Sequence, residues 1–293
     1  MSVARFSAGA FLPAQFERDR RITLARPDLA AAWLRGSVAA ERYGDAQSLS
    51  VVAPSAPLRA HPAADAALET EALCGETMLV LACDEGWAWG QLSRDGYVGY
   101  LPESALGPAI APTHRVGVLR THAYPGPSIK APPAMAVSMG AELAIARHID
   151  DFAVDANGLH FYAAHLVAID HREVDFVAVA ERSLGAPYLW GGRTSEGIDC
   201  SGLLQTALAA AGLVAPRDAD MQEQALGHAL DHGAALTRGD LIFWKGHVGI
   251  MRDSQTLLHA SGHHMQVASE PLAQAAARIA QDAGAAIRTI RRL

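Results

Sequence analysis

The chain is short of cysteine, of aromatic residues and of basic charge, and it has no long hydrophobic run. Each shortage excludes something. Its three cysteines, Cys74, Cys83 and Cys200, are odd in number and too few for a disulfide framework, which fits a reducing compartment. A Cys74–Cys83 bridge stays open, with no support from spacing. Lys and Arg number 24 against 31 Asp and Glu, a net charge of −7, so the surface repels phosphate backbones and no nucleic-acid partner is expected. No stretch approaches the roughly 18 apolar residues of a spanning helix, so no membrane partner is expected. Near the N-terminus, Phe6–Phe16 is mildly apolar, but Pro13 and Gln15 interrupt it and Glu17-Arg18-Asp19-Arg20-Arg21 comes next without a small-residue cleavage site. The expectation is cytoplasmic retention, with secretion as the lesser alternative. Gly191-Gly192 is no phosphate loop, since GxxxxGK[ST] is absent. His263 and His264 adjoin His259, but no second ligand cluster has metal-site spacing, so neither metal nor other cofactor is expected.

What is present is an ordinary globular chain of 293 residues, half of them hydrophobic, enough for about two or three domains. Residues 1–45 read as an N-terminal extension packed on the first domain, with Asp28 capping a short helix over Leu29–Leu34 that ends near Gly36. Residues 46–106 hold β-prone runs at Leu49–Val52, Met78–Ala82, Trp87–Leu92 and Tyr97–Leu101. Turn signals such as Asp84-Glu85-Gly86 and Arg94-Asp95-Gly96 separate them. The order Leu58-Arg59, Gly75-Glu76, Gly86-Trp87, then Gly96-Tyr97-Val98-Gly99-Tyr100-Leu101-Pro102 resembles the bacterial SH3-like barrel. Residues 107–170 read as a degenerate second copy, Leu119-Arg120 echoing Leu58-Arg59 and Met139-Gly140-Ala141-Glu142 echoing Gly75-Glu76. Residues 171–293 start with helical spacing over Asp175–Leu184 and Cys200–Ala211, each stopped by glycine. Strand-like runs come after them at Asp240–Trp244, His247–Met251 and Thr256–Ala260. Helices and then strands indicate an α+β domain with an antiparallel sheet. The Ala-rich stretch Ala273–Ala286 has helix-forming composition.

One constellation carries chemistry. In Gly197-Ile198-Asp199-Cys200-Ser201-Gly202 the cysteine opens a helix, where free amides and the macrodipole favour a thiolate and lower its pKa. The competing reading is a buried small hydrophobe, which the polar neighbours Asp199 and Ser201 make awkward. A thiolate nucleophile needs a base, and His247 stands between glycines in Lys245-Gly246-His247-Val248-Gly249. His259 lies on the next strand candidate, where the two rings come side by side. Taken alone, each of thirteen histidines is more often structural.

Together these residues resemble the NlpC-type cysteine peptidases, a papain-like family of cell-wall hydrolases. Pro187-Tyr188-Leu189-Trp190-Gly191-Gly192, Asp199-Cys200-Ser201-Gly202-Leu203, Pro216-Arg217, Gly239-Asp240-Leu241-Ile242-Phe243, His247-Val248-Gly249-Ile250 and His259-Ala260 occur in the family's order. The resemblance implies a Cys200 nucleophile, a His247 base and a His259 orienter, with Tyr188 helping the Cys200 amide stabilise the oxyanion. The full order of extension, two barrels and peptidase is similar to the family's dipeptidyl-peptidase branch. That likeness implies cleavage of the γ-D-glutamyl–diamino acid bond in murein-derived peptides with a free N-terminal L-Ala. It further implies that Asp199, Glu69 and Tyr97 receive the ammonium and that Ser201 touches the D-Glu portion. Outside this likeness, Glu69 reads equally as an exposed strand charge and Tyr97 as a packing aromatic. Tyr100 stands where the branch often has tryptophan. Arg193 reads either as a ligand for the diamino acid carboxylate or as a structural ion pair. The alternatives are a secreted hydrolase of intact wall and a non-catalytic wall-binding module.

Overall fold

The computed structural model describes residues 19–231 and 233–293, so the Phe6–Phe16 stretch lies outside the described residues. Residues 19–45 carry no helix over Leu29–Leu34. Leu29–Ala31 is a strand paired in parallel with Arg42–Gly44, and one 3₁₀ turn comes after it. The alanines favour helix, but Leu24, Leu29 and Ala31 gain more by packing on Trp89, and Asp28 turns its carboxylate to Arg26 instead of capping.

Seven strands between Gln47 and Pro108 form one curled sheet whose interior holds Leu58, Met78, Leu92, Tyr97 and Leu101. Residues 114–168 form a five-stranded and a three-stranded sheet around a separate core of Val116, Ala123, Val137, Leu143 and Phe161. The two bodies meet at the segments that echo each other in sequence. Gly75 and Gly140 both adopt left-handed φ, 82° and 89°. The Glu142 amide donates to the Cys74 carbonyl over 2.8 Å. A Cβ on Gly75 would lie 1.9 Å from the Glu142 carbonyl oxygen, so only glycine permits this approach.

The C-terminal part is α+β. Its antiparallel sheet runs, in spatial order, His228–Ala229, Thr289–Arg292, Leu241–Trp244, His247–Met251, Thr256–Ser261 and Gln266–Pro271. Side chains alternate across it. Leu241, Phe243, Val248, Ile250 and Leu258 pack on helices α1 (Phe176–Glu181) and α2 (Cys200–Ala210). Ile242, Trp244, Met251 and Leu257 pack on the far side against Ala275 of the Ala-rich helix. A short helix, α3 (Ala219–Ala225), precedes the sheet, and α4 (Leu272–Ala283) is that Ala-rich helix, ended by left-handed Gly284. Leu203, Leu204 and Leu208 of α2 are fully buried, each contributing about 1.5–3 kcal/mol. The α2 axis is thereby held against the sheet with its first residue facing the strand His247–Met251. No described helix is long and apolar enough to cross a membrane.

The first barrel is fastened to this domain by a buried ion pair. Arg193 places Nη2 2.8 Å and Nη1 3.1 Å from the two Glu76 oxygens, and Arg94 adds a contact of 2.7 Å. Arg193 is thus a structural partner and not a free ligand. Burial alone would raise the Glu76 pKa, but the two guanidiniums hold it down at about 2. The folded value lies below the unfolded one, so the stabilisation is complete above the ordinary carboxylate pKa and is lost as pH falls toward 2. Glu76→Gln leaves a buried guanidinium undercompensated and is expected to lower stability by about 3–5 kcal/mol in urea unfolding at neutral pH. The difference should shrink as pH falls below 4, and a pH-independent deficit would contradict the assignment.

Candidate active site

Asp199 is the N-cap of α2. Its Oδ1 accepts from the Gly202 amide (2.7 Å), the Ser201 hydroxyl (3.2 Å) and Arg217 Nη1 (3.0 Å). Its Oδ2 accepts from the Gly191 amide (2.8 Å) and Arg217 Nη2 (2.7 Å). Arg217 also donates to Ser201 Oγ (2.8 Å), to the Gly192 carbonyl (3.4 Å) and, through Nε, to Thr70 Oγ1 of the first barrel (2.7 Å). Asp199 and Ser201 are both buried and spent on one another and on Arg217. This corrects the expectation that they face substrate: a carboxylate with five donors has no lone pair left for an ammonium. The Ser201 hydroxyl hydrogen is likewise committed.

Cys200 is the first residue of α2 and is 8% exposed. The backbone amides of Ser201 and Val248 face its sulfur, so the strand that carries His247 abuts the helix start at the nucleophile. His247 Nε2 lies 2.8 Å from His259 Nδ1, and His259 Nε2 lies 2.9 Å from Glu270 Oε1. Glu270 in turn holds Arg278 of α4 at 2.5 and 2.7 Å. The connectivity fixes the hydrogens. Ionised Glu270 only accepts, so His259 carries its hydrogen on Nε2 and offers Nδ1 as an acceptor. His247 therefore carries its own hydrogen on Nε2. Its bare Nδ1 is the nitrogen left to take a proton from the thiol. Trp244 packs on the His247 ring at 5.6 Å between centroids.

The electrostatics correct the helix-start argument. Burial, and next the charge of Asp199, push the Cys200 thiol up to about 12, outweighing the amides that pull it down. Burial, the neighbouring His259 and Arg278 push His247 down to about 3. Both shifts favour the neutral forms, a thiol at Cys200 and an imidazole at His247. Tyr188 is half-buried beside this pair; burial and the nearby Cys200 and Asp199 raise its pKa to about 12, so its hydroxyl stays a donor.

Glu69 and Tyr97 come from the first barrel and meet the C-terminal domain at a residue that sequence reasoning missed. The Tyr97 hydroxyl lies 3.0 Å from Asp218 Oδ2 and 3.2 Å from Glu69 Oε2. One hydrogen cannot serve both carboxylates. Arg21 pairs with Asp218 (2.7 Å), Asp19 and Asp220 on the outer side. Asp218 directly succeeds the Pro216-Arg217 pair, which was its only sequence signal. Glu270 and Arg278 were missed as well, since their relation to His259 depends on strand pairing and on α4 docking. His259, His264 and Glu270 set one ligand atom each within 4.8 Å, but Arg278 already holds both Glu270 oxygens. All three cysteines are free thiols, Cys83 exposed and the others buried.

Residues 185–280 match the NlpC/P60 family, and residues 58–106 match the family described as bacterial dipeptidyl-peptidase Sh3 domain. The chain is 39% identical over 95 residues to a gamma-D-glutamyl-L-lysine dipeptidyl-peptidase of Bacillus subtilis, and 36% identical over 87 residues to dipeptidyl-peptidase 6 of Lysinibacillus sphaericus. Each match covers 29% of this chain and 31% of the relative, so the similarity spans about a third of those proteins. In fold, the chain is similar to the crystal structure of an NlpC/P60 family protein from Bacillus cereus. The TM-score is 0.71 at 21% identity, over 84% of this chain and 99% of that one.

The neutral resting pair has a direct readout. Iodoacetamide is expected to alkylate Cys200 more slowly than exposed Cys83 near neutral pH, with the Cys200 rate climbing through the alkaline range, as tracked by peptide mass spectrometry. Fast Cys200 labelling that is flat from pH 6 upward would show a preformed thiolate.

Proposed function

We infer that this chain, which carries an NlpC/P60 domain behind a bacterial SH3 domain of the dipeptidyl-peptidase type, is a cysteine peptidase for murein peptides. In this reading it hydrolyses the γ-D-glutamyl–diamino acid bond of peptides with a free N-terminal L-Ala and releases L-Ala-D-Glu. The observations that carry the reading are two hydrogen-bonded groups. His259 orients His247 on the strand that abuts Cys200 at the start of α2, and Glu69, Tyr97 and Asp218 form an anionic cluster where the first barrel meets the C-terminal domain.

The chemistry runs as base-assisted acyl transfer. His247 Nδ1 takes the thiol proton as the sulfur attacks the γ-glutamyl carbonyl. The Cys200 amide, without an i−4 partner at the helix start, and the Tyr188 hydroxyl are positioned as donors to the oxyanion. His247 then protonates the departing amine of the diamino acid. Water, deprotonated by the same nitrogen, hydrolyses the thioester and restores the neutral pair.

The anionic cluster supports the free-amine requirement. Besides Arg21 on Asp218, Glu69 and Asp218 have one Tyr97 hydroxyl hydrogen between them, and an ammonium brings three more. Asp218 thus replaces Asp199 as the acidic partner on the C-terminal domain. An uncharged amide end would leave two partly buried carboxylates underserved. The Bacillus subtilis relative called a gamma-D-glutamyl-L-lysine dipeptidyl-peptidase agrees with this substrate class.

The test is a paired assay on L-Ala-γ-D-Glu-L-Lys, its diaminopimelate analogue and the N-acetylated forms. Turnover of the acetylated peptides is expected to fall by about 100-fold or more, and Cys200→Ala should abolish release of L-Ala-D-Glu. Equal turnover of free and acetylated peptides would remove the free-amine requirement; full activity in Cys200→Ala would remove the nucleophile.

A further inference from the structure

The relay behind the base does not end at His259. We propose that Glu270 and Arg278 are positioning residues that lock the tautomers of the His247–His259 pair and set its basicity with opposing charges. The proposal rests on the peptidase reading and deepens it.

The hydrogen-bonded line is continuous from His247 to α4. His247 Nε2 meets His259 Nδ1 at 2.8 Å, His259 Nε2 meets Glu270 Oε1 at 2.9 Å, and Arg278 Nη1 and Nη2 meet the two Glu270 oxygens at 2.7 and 2.5 Å. Exposure grades along it, the side chains being 1% exposed at His259, 10% at Glu270 and 20% at Arg278. A buried imidazole with an ionised carboxylate on its far nitrogen has one allowed tautomer, and that tautomer dictates the next. Without Glu270, His259 can place its hydrogen on Nδ1, where it would oppose the His247 Nε2–H and turn the base away.

The charges act in opposite senses on the same pair. Glu270 favours protonated imidazole at both rings, and Arg278 disfavours it at both. Several other groups face the pair. Asp199 lies at the N-cap of α2, and His264 sits 3.8 Å from Glu270 Oε1, with His263 edge-on to its ring. Asp282 on α4 faces Arg278 from behind. Of these, only Glu270 and Arg278 belong to the hydrogen-bonded line from His259. A passive brace would respond alike to loss of either member, whereas an electrostatic device responds in opposite directions.

That difference is the experiment. The acid limb of kcat/KM for the free tripeptide reports protonation of the coupled histidine pair. Glu270→Gln is expected to lower kcat by about 10- to 100-fold with little change in KM, and to move the acid limb down by about one unit. Arg278→Gln is expected to move the limb up, and the double variant should fall between them. Histidine ¹⁵N shifts give a readout independent of turnover: His247 and His259 should both carry hydrogen on Nε2 in the unmodified protein, with mixed tautomers at His259 in Glu270→Gln. Should Glu270→Gln fail to fold, Arg278→Gln carries the test alone, since an upward limb supports the proposal and an unmoved limb overturns it. Limbs that move together, or an unchanged His259 tautomer, overturn it too. Activity that survives Cys200→Ala would sink the peptidase reading itself. A Cys200-dependent activity whose acid limb ignores both variants sinks only the relay.

Discussion

The buried pair between Arg217 and Asp199 is the interaction on which the site depends. Through it one guanidinium joins the cap of α2, the Ser201 hydroxyl, the Gly192 carbonyl and Thr70 of the first barrel. Cys200, the proposed nucleophile, is the next residue after that cap, so its position is set by an ion pair whose guanidinium also reaches Thr70 of the first barrel. Two desolvated charges are tolerable there because every polar atom of Asp199 is engaged. The charge of Asp199 raises the thiol pKa, while its saturation leaves no lone pair for substrate.

This arrangement divides labour among the acids. Asp199 orders the helix start, Glu76 fastens the barrel through Arg193, Glu270 holds the histidines, and Glu69 with Asp218 shares the Tyr97 hydroxyl, Asp218 also holding Arg21. Since Glu69 and Asp218 lie on different domains, the proposed recognition of a free amine would depend on barrel docking, which the Glu76–Arg193 and Arg217–Thr70 contacts hold.

Much of the C-terminal fold was legible. The helix start at Asp199-Cys200 and the strands near 241–244, 247–251 and 256–261 arise from local patterning, capping and turn glycines. What escaped depends on partners distant in sequence. Thr289–Arg292 enters the sheet between His228–Ala229 and Leu241–Trp244 despite two arginines, because Arg292 is neutralised by Asp240. Leu29–Ala31 chose strand over helix for the same reason, a non-local pairing and a tryptophan to pack on. The roles of Asp218, Glu270 and Arg278 exist only once strands and domains are assembled. A helix terminus is visible in sequence, but the burial that opposes its effect on the thiol is not.

The measurement that tests the centre of this account is urea unfolding of Asp199→Asn at neutral pH, paired with its discrimination between free and N-acetylated tripeptide. Loss of about 3–5 kcal/mol with the preference for the free amine retained is the predicted result. Wild-type stability with that preference abolished would contradict it, and would return Asp199 to the substrate.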